Sequence, residues 1–412
     1  MNSLIPRFAI PYGPRALAAA SAASLTGAIA SGRAVENLLG RREYLWTGSG
    51  RQALVLMLRA LQLGEGAKVA VPLFSSSAVT SALKAADCEP LYVDVDPQTL
   101  MMDAGALART MDRTGSRVRA VVPVHLFGNV VDMDRVMSAA AGVPVIEDTA
   151  QSIGSLWRHR LTGTFGLGSI YSFASSKAIA AGGGGIAAWN ASSDAEFGAR
   201  LRKLAESLEP RSRLDSLRCA VMQFAKSALF SRELYALVGN RLRSGTEDRG
   251  YLLAKIDSLG ITPASAAAVR ILAARFPERL RRQRANSFSL IAMLRDIEGI
   301  VLPIEPAGAT YSYSLFAVLA ADAGERDAVR RIMRSLGVDT SNVHHNCVET
   351  AGRNGYAGSC PISESAAGRI LTLPNYAGLG TRDLDRIASA FRTAVKQHRT
   401  LARPARLEAY AV

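Results

Sequence analysis

The 412-residue sequence has little cysteine, few aromatic residues and no long apolar run, and each shortage excludes a class of protein. The cysteines form no Cys-x-x-Cys or cysteine–histidine pattern, which argues against a metal site or a disulfide framework and fits a reducing cytoplasm; they are Cys88, Cys219, Cys347 and Cys360. Aromatic residues make up 6% of the chain and do not interleave with basic ones, so no nucleic-acid partner is predicted. No apolar run is long enough to span a bilayer.

Acidic residues are also scarce, with 35 against 49 basic ones, which gives a formal net charge of +14. Such a balance usually makes a solvated basic surface, and it also suits anionic ligands or an acidic membrane face. The length is enough for two domains, and 49% hydrophobic with 20% charged residues is typical of a globular protein. The alanine- and serine-rich stretch 16–32 loosely imitates a signal peptide, but Thr26 and Gly27 interrupt it, and we predict a helix there.

Strand and helix patterns alternate from residue 50 to residue 148. Helices are predicted at 50–63, 75–86, 103–113 and 132–140, and buried strands at 67–74, 89–96, 118–127 and 143–148. This alternation indicates an α/β fold with a mostly parallel sheet between helices. Ligands bind at the carboxyl ends of the strands in such sheets, so the chemistry is expected near His125, Glu147 and Asp148.

The pattern changes after Asn190. Residues 195–255 are predicted to be helical, and 205–255 form a basic amphipathic insertion with apolar positions such as Leu217, Val221 and Phe224. We favour a helical hairpin packed on its own domain or on a sister subunit over docking to a membrane surface.

A second alternation follows in the C-terminal part. A long helix is predicted at 263–296, a strand at 311–320, a helix at 324–336, a strand in ILTLPNY and a helix at 381–397. We therefore predict a large domain over 1–290 and a smaller α+β domain over 291–412.

Three short stretches fall at predicted strand ends, namely TGSGRQAL (47–54), VIEDTAQ (145–151) and YSFASSK (171–177). A glycine turn before a helix is often only a tight connection, but the helix N-terminus can also bind a phosphate. Asp148 either caps a helix or faces a cationic ring nitrogen. Lys177 is either solvent-facing or, if desolvation lowers its pKa, a Schiff-base former.

Lys177 is the only charged residue between Arg160 and Asp194. Pyridoxal phosphate requires a lysine, a carboxylate that keeps its ring nitrogen protonated, and a phosphate cradle. The three stretches supply these groups in one order along the chain. Together they favour a pyridoxal phosphate site over a lysine without function at a sheet edge.

The sequence resembles the DegT/StrS family of pyridoxal phosphate-dependent sugar aminotransferases, which have the aspartate-aminotransferase type of fold. The resemblance covers about 45–195 and 260–392 and is carried by VPVHLFGNVVDMD, VIEDTAQSIGS, GTFGLGSIYSFASSK and ILTLPNYAGLGTRDLDRI. It implies a large domain with a seven-stranded type of sheet, a cytoplasmic homodimer with a shared active site, and transfer of an amino group, usually from L-glutamate, to a nucleotide-linked keto-sugar.

The resemblance also implies residue roles. Lys177 would be the Schiff-base and proton-transfer residue, Asp148 would pair with the ring nitrogen, and Gln151 would hydrogen-bond the phenolic oxygen. The phosphate would be held by Ser172 with the backbone around Gly50, Arg51 and Gln52. His125, His344 and His345 are candidate substrate contacts, although the last two are more simply interpreted as ordinary loop histidines.

Four positions depart from the family pattern. Arg51 replaces a threonine, Ser76 an aromatic residue that stacks on the cofactor, Gly183 a glutamate, and Ser258 an asparagine that reaches the neighbouring subunit. Three further functions therefore stay open. They are a non-catalytic pyridoxal phosphate-binding protein, a sugar dehydratase, which would carry histidine at position 177, and an amino-acid aminotransferase with Arg353 or Arg369 binding the carboxylate.

Overall fold

The computed structural model describes residues 4–29, 31–114, 117–190, 194–236 and 258–408, with side chains as far as Leu401, and every structural statement refers to these ranges. Seven strands in its N-terminal part lie in two sheets. The first has the order β3 (Cys88–Val93), β2 (Ala67–Pro72), β4 (Val118–Val121), and its strands are parallel. The second has the order β1 (Glu43–Thr47), β9 (Gly185–Trp189), β8 (Gly168–Ser172), β5 (Ile146–Asp148).

Strand β9 runs opposite to the other three strands of the second sheet, and β5 pairs with β8 in parallel. Isolated parallel bridges join Val121 to Val145 and Val124 to Asp148, so the end of β4 lies beside β5. The α/β class is confirmed, whereas the seven strands lie in two sheets rather than in one. The carboxyl ends of β1, β5 and β8 consequently lie at one edge.

Helices connect these strands and flank them. They are α1 (Pro14–Thr26), α2 (Arg33–Leu38), α3 (Gly50–Ala60), α4 (Ser77–Ala85), α5 (Ala104–Thr114), α6 (Met133–Ala139), α7 (Ala195–Ala205), α8 (Arg213–Leu229), α9 (Pro263–Ala274) and α10 (Phe276–Leu294). Between β5 and β8 the short strands β6 (Leu156–Trp157) and β7 (Arg160–Leu161) form a hairpin. Helix α3 packs against β8 and β9 because seven of its eleven side chains are apolar and buried.

Two predicted helical segments are interrupted. The long helix expected at 263–296 is two helices that meet at Arg275, because Pro277 has no N–H for an intrahelical bond and restricts the residue before it. The segment expected to be helical from 195 onwards breaks over 206–212, which contains Pro210. The rest of the predicted insertion, 237–257, lies outside the described residues.

The C-terminal part contains β10 (Ala309–Thr310), β11 (Phe316–Leu319), α11 (Ala323–Ser335), α12 (Cys347–Gly352), α13 (Pro361–Arg369), β12 (Ile370–Leu373) and α14 (Thr381–Glu408). Strands β11 and β12 pair antiparallel, while β10 pairs with β6. The strand predicted at 311–320 is limited to β11. Ile5 pairs with Val338, so the start of the chain contacts this part.

One apolar core runs through both parts. It includes Met57 and Phe127 from the N-terminal part and Phe316 and Leu371 from the C-terminal part, all of them buried. Each such side chain contributes about 1.5–3 kcal/mol through burial, so separating the two parts would cost much of the stability. The loops at the carboxyl edge of the sheet are thereby held between the two parts.

Candidate active site

In the glycine turn after β1, the backbone passes very close to the end of β8 and the start of β9. Ser49 caps α3 by accepting a hydrogen bond from the Gln52 N–H at 3.1 Å. A Cβ on Gly50 would lie 2.8 Å from the Ser172 Cβ, and one on Gly185 would lie 2.5 Å from the Gly50 nitrogen. Only glycine therefore lets the helix start touch the end of β8, and the structure brings Gly50 and Ser172 together as predicted.

The side chain of Gln52 stabilises this turn. Its Oε1 accepts from the Gly48 N–H at 2.6 Å, and its Nε2 donates to the Leu259 carbonyl at 3.3 Å. The first-turn N–H groups of Gly50 and Arg51 have no carbonyl four residues back within the helix, so they suit an anion. Gln52 thus supports the cradle through its side chain, while its N–H is occupied by the cap.

Asp148 ends β5 and is buried. Its Oδ1 accepts from the Ala150 N–H at 2.9 Å. Its backbone N–H donates to the Pro123 carbonyl, and its carbonyl accepts from the His125 N–H. Burial raises the pKa of its carboxyl above the ordinary value, against the effects of the Ala150 N–H and the charge of Lys177. A carboxylate in this position favours a cationic partner.

Lys177 is half-buried in the loop after β8, and its backbone N–H donates to the Ala174 carbonyl. Burial lowers the pKa of its ammonium, and the charge of Asp148 opposes this shift. The two groups predicted from the sequence to work together therefore interact electrostatically across the strand ends. An amine with a lowered pKa is the form that a nucleophilic lysine requires.

Sequence reasoning missed the residue that clamps the lysine loop. Gln223 of α8 accepts from the Ser175 hydroxyl at 2.7 Å and donates to the Ala180 carbonyl at 2.9 Å. Gln223 is buried in an otherwise basic amphipathic helix, and this buried polar position was its only signal in the sequence pattern. Helix α8 thus fixes the loop on both sides of Lys177.

Gln151 and His344 meet between the two parts of the chain. Gln151 Oε1 accepts from the Phe127 N–H at 2.8 Å, and its Nε2 lies 3.1 Å from His344 Nε2. The His344 ring also packs against Phe127 and Phe74, with centroids 5.8 and 6.4 Å apart. Burial lowers the pKa of His344 to about 3, helped by the charges of Lys177 and His345, so His344 is neutral and accepts from Gln151.

His125 has no exposed surface. Its Nδ1 accepts from the Val131 N–H at 3.1 Å, which leaves the proton on Nε2 to be donated to Glu147, 3.2 Å away. The two ring nitrogens are therefore engaged within the protein. The structure places His125 beneath the site as a support rather than at its surface.

Glu147 is the buried carboxylate beside Asp148 along β5. Besides His125, it accepts from the backbone N–H groups of Gly163, Phe165 and Gly166 at 2.7–2.9 Å. Burial acts to raise its pKa, but the His125 hydrogen bond and the backbone donors hold it below the ordinary value. This carboxylate fixes the β7–β8 loop from below.

We expect Glu147→Gln to lower the free energy of unfolding by about 3 kcal/mol, because the amide NH₂ would face N–H donors that now bond a buried charge. Urea unfolding measures this. Glu349→Gln, at an exposed ion pair with Arg353, is the control and should change stability by less than about 0.5 kcal/mol. Equal losses in the two variants would contradict the assigned role of Glu147.

The remaining candidates lie apart from this group. His345 Nδ1 lies 2.9 Å from the Asn342 carbonyl in a loop turn. Ser76 caps α4 by accepting a hydrogen bond from the Ala78 N–H, and the Ser258 hydroxyl donates to the Glu209 carboxylate. Arg353 pairs with Glu349 at the surface, and Arg369 donates to the Ala320 carbonyl. None of these side chains forms a hydrogen bond or ion pair with Lys177, Asp148 or Gln151 in the part of the chain described.

Within the described ranges, no group of three or more histidine, cysteine, aspartate or glutamate side chains is placed to hold a metal ion. No described helix has the length and apolar character needed to cross a membrane.

The family model for the DegT/DnrJ/EryC1/StrS aminotransferase family matches residues 31–216 and 258–392. The chain belongs to this family.

Two curated relatives match most of the chain. An L-glutamine:2-deoxy-scyllo-inosose aminotransferase of Micromonospora echinospora is 28% identical over 86% of this chain and 83% of its own length. A UDP-N-acetyl-3-dehydro-alpha-D-glucosamine 3-aminotransferase of Acidithiobacillus ferrooxidans is 28% identical over 88% of both chains. A shorter match to EpsN of Bacillus subtilis, 38% identical, covers 34% of this chain and 37% of that protein.

A solved structure shows the same fold. The aminotransferase TlmJ from Streptoalloteichus hindustanus superposes with a TM-score of 0.76 at 24% identity, over 96% of this chain and 99% of that one.

Proposed function

We propose that this protein is a pyridoxal phosphate-dependent aminotransferase that moves an amino group from an amino acid to the keto group of a sugar, in the synthesis of a glycan, polysaccharide or secondary metabolite. The observation that carries the proposal is that buried Asp148 ends β5 while Lys177 follows β8, the strand paired with β5, so both residues belong to one edge of the sheet. The two aminotransferases that match most of the chain, which act on a cyclitol ketone and a nucleotide-sugar ketone, support the acceptor class.

The residues present fit the cofactor. The cradle of Gly50, Arg51 and Ser172 would take the phosphate, because a Cβ at Gly50 has no space and the first-turn N–H groups favour an anion. Asp148 would lie against the ring nitrogen, where a positive charge offsets the cost of burying its carboxylate. Gln151 would present its remaining N–H to the phenolic oxygen.

Pyridoxal phosphate supplies the electron sink and the carbonyl group that takes up and hands on the amino group. Lys177 would hold the cofactor through Nζ and, once released, would carry a proton at Nζ. Asp148 would keep the ring nitrogen protonated. The Gln223 clamp would hold the lysine loop in place as Nζ changes partner.

The half-reaction tests this function. Protein reconstituted with pyridoxal phosphate is mixed with L-glutamate or with L-glutamine, and its visible spectrum is followed. Conversion to the pyridoxamine form, then reversal by a nucleotide-linked keto-sugar from a panel, is the expected result. Cofactor binding without conversion by either donor would favour a non-catalytic protein of the same fold.

Two competing enzyme functions have less support. A dehydratase would carry histidine where Lys177 stands. An amino-acid aminotransferase needs an arginine for the carboxylate, and both candidates, Arg353 and Arg369, are engaged away from the site.

Three finer expectations belong with this proposal. The seven strands would form one sheet in the order β3-β2-β4-β5-β8-β9-β1, which the two isolated bridges between the β4 and β5 segments support. Two chains would form a homodimer with shared active sites, acting in the cytoplasm, as the family resemblance implies. A large domain over 1–290 and a small one over 291–412 would frame the site.

His344 is proposed to position Gln151 rather than to bind substrate. His344→Phe keeps the ring packing on Phe74 and Phe127 and removes the acceptor for Gln151 Nε2. We expect affinity for pyridoxal phosphate to fall about tenfold, the equivalent of about one hydrogen bond. Fluorescence titration of the cofactor measures this.

The neighbouring variant His345→Phe is the matched control and should leave that affinity unchanged, since the hydrogen bond to Gln151 is made by His344, whereas His345 Nδ1 faces the Asn342 carbonyl. An unchanged cofactor affinity in His344→Phe, with a raised KM for the sugar, would instead assign His344 to the substrate.

A further inference from the structure

The outward face of α8 has an apolar centre that no described residue covers. Helix positions 214, 217, 221 and 222 lie on one side, and their side chains, Leu214, Leu217, Val221 and Met222, are 56%, 36%, 53% and 59% exposed. The opposite side of α8 is buried and includes Ser216, Ala220 and Gln223. Helix α8 therefore has one packed side and, opposite it, an apolar side that is exposed to solvent.

Exposed apolar residues also lie at the end of α1. Ser24 of α1 and Ser216 of α8 share a hydrogen bond of 2.8 Å, so the end of α1 lies against the start of α8. Leu25 and Ile29, at and just after that end, are 69% and 49% exposed. We call the six exposed residues Leu25, Ile29, Leu214, Leu217, Val221 and Met222 the α1–α8 face.

Basic side chains border the face. Helix α8 carries three basic residues, Arg213, Arg218 and Lys226, all exposed, against one acidic residue, Asp215. Arg218 approaches Asp215 only at 3.8 Å, with both side chains largely in water, so most of the positive charge remains available. The chain as a whole carries a net charge of +14.

This composition argues against a second copy as the occupant. In a two-fold contact each chain presents the same patch, so Arg213, Arg218 and Lys226 would face a patch with the same excess of positive charge. Like charges brought together at a desolvated interface cost several kcal/mol. An apolar surface edged by negative charge has no such penalty, and a bilayer with anionic head groups is such a surface.

We propose that the α1–α8 face docks on an anionic membrane surface, with Leu214, Val221 and Met222 entering the head-group layer and Arg213, Arg218 and Lys226 contacting lipid phosphates. Gln223, on the opposite side of the same helix, clamps the lysine loop. A docked α8 therefore holds the loop of Lys177 next to the membrane surface. The proposal does not depend on the identity of the sugar.

Vesicle co-sedimentation of the full chain tests the docking. Vesicles of equal parts phosphatidylcholine and phosphatidylglycerol should bind the protein, and vesicles of phosphatidylcholine alone should not. The Val221→Ser/Met222→Ser variant should bind about tenfold more weakly, since two side chains lose most of their insertion. The Arg213→Gln/Arg218→Gln/Lys226→Gln variant should bind about a hundredfold more weakly, and added salt should remove the difference between vesicles.

Two control variants match these changes elsewhere on the surface. Ile304→Ser alters a side chain with the same 53% exposure as Val221. Arg281→Gln/Arg282→Gln removes exposed positive charge from α10. Both controls should bind anionic vesicles like the parent chain. Loss of binding in the controls equal to that in the α8 variants would overturn the proposal in favour of a general effect of net charge.

A Met222→Trp variant shows whether the α1–α8 face is free in the absence of vesicles or is already covered. Its added emission should be that of a water-exposed indole in the free protein and should shift to the blue on anionic vesicles. A blue-shifted emission without vesicles would overturn the proposal, because the face would then be covered by residues 237–257 or by another copy. In that case, a molecular mass in solution that is lower for the Val221→Ser/Met222→Ser variant than for the parent chain would identify another copy as the occupant.

Discussion

Lys177→Ala is expected to lower transamination by about 10⁴-fold or more, since the variant loses both the covalent anchor and the proton carrier of the site. The loss should appear in kcat, because substrate contacts elsewhere remain. Stopped-flow absorbance of the half-reaction with L-glutamate measures it. Pyridoxal phosphate should still bind, held by the cradle around Gly50 and by Asp148, but more weakly.

Two comparisons make this test specific. Borohydride reduction of the parent holoenzyme, followed by peptide mass analysis, should place the fixed cofactor on Lys177. Lys203→Ala, which removes an exposed lysine from α7, should behave like the parent chain. Turnover in Lys177→Ala at more than about a hundredth of the parent rate would remove Lys177 from the mechanism, and the proposed chemistry with it.

Asp148→Asn is expected to have opposite effects on the two forms of the protein. In the holoenzyme the amide cannot keep the ring nitrogen protonated, and kcat should fall by about 10²–10³-fold. In the cofactor-free protein the same change removes a buried, poorly compensated charge while an oxygen still accepts from Ala150. The cofactor-free variant should therefore be more stable at neutral pH, by about 1–3 kcal/mol.

The stability gained by Asp148→Asn in the cofactor-free protein should depend on pH. Burial raises the pKa of Asp148 above its ordinary value of 3.8, so the folded cofactor-free chain binds this proton more tightly than the unfolded chain. The contribution of Asp148 to stability is therefore full below about pH 4 and is lost as the pH rises through the folded pKa. Asparagine does not titrate, so the gain of Asp148→Asn should be absent at about pH 4 and present at about pH 7.

Urea unfolding of both cofactor-free proteins at the two pH values measures this difference. A variant that is less stable than the parent at neutral pH would show that another cation already compensates Asp148 in the absence of cofactor. That outcome would weaken the argument that this carboxylate is reserved for a ring nitrogen.

The local sequence was sufficient for the elements with strong periodicity. The alternation from residue 50 to residue 148 predicted the strands β2, β3 and β4 and the helices between them, because burial on one side leaves a regular apolar pattern. It failed where single residues override the pattern. Pro277 divides the helix expected at 263–296, and the predicted strand at 311–320 shortens to Phe316–Leu319.

The site shows the same division. The residue types and their order led to the prediction of Lys177 and Asp148 as site residues, because each chemical role needs one particular kind of side chain at a strand end. Sequence spacing could not show that Gln151 meets His344, 193 positions away, or that Gln223 of α8 holds the lysine loop. Those contacts depend on how separate elements pack.

The sequence by itself determined the class of chemistry, through a lone lysine, a strand-end aspartate and a glycine turn in a fixed order. Only the tertiary structure decided which neighbouring side chains support them, why His125 lies beneath the site, and why the apolar side of α8 faces outward. The physical reason is that side-chain chemistry is a local property of the chain, whereas burial and partner choice are set by contacts between residues distant in sequence.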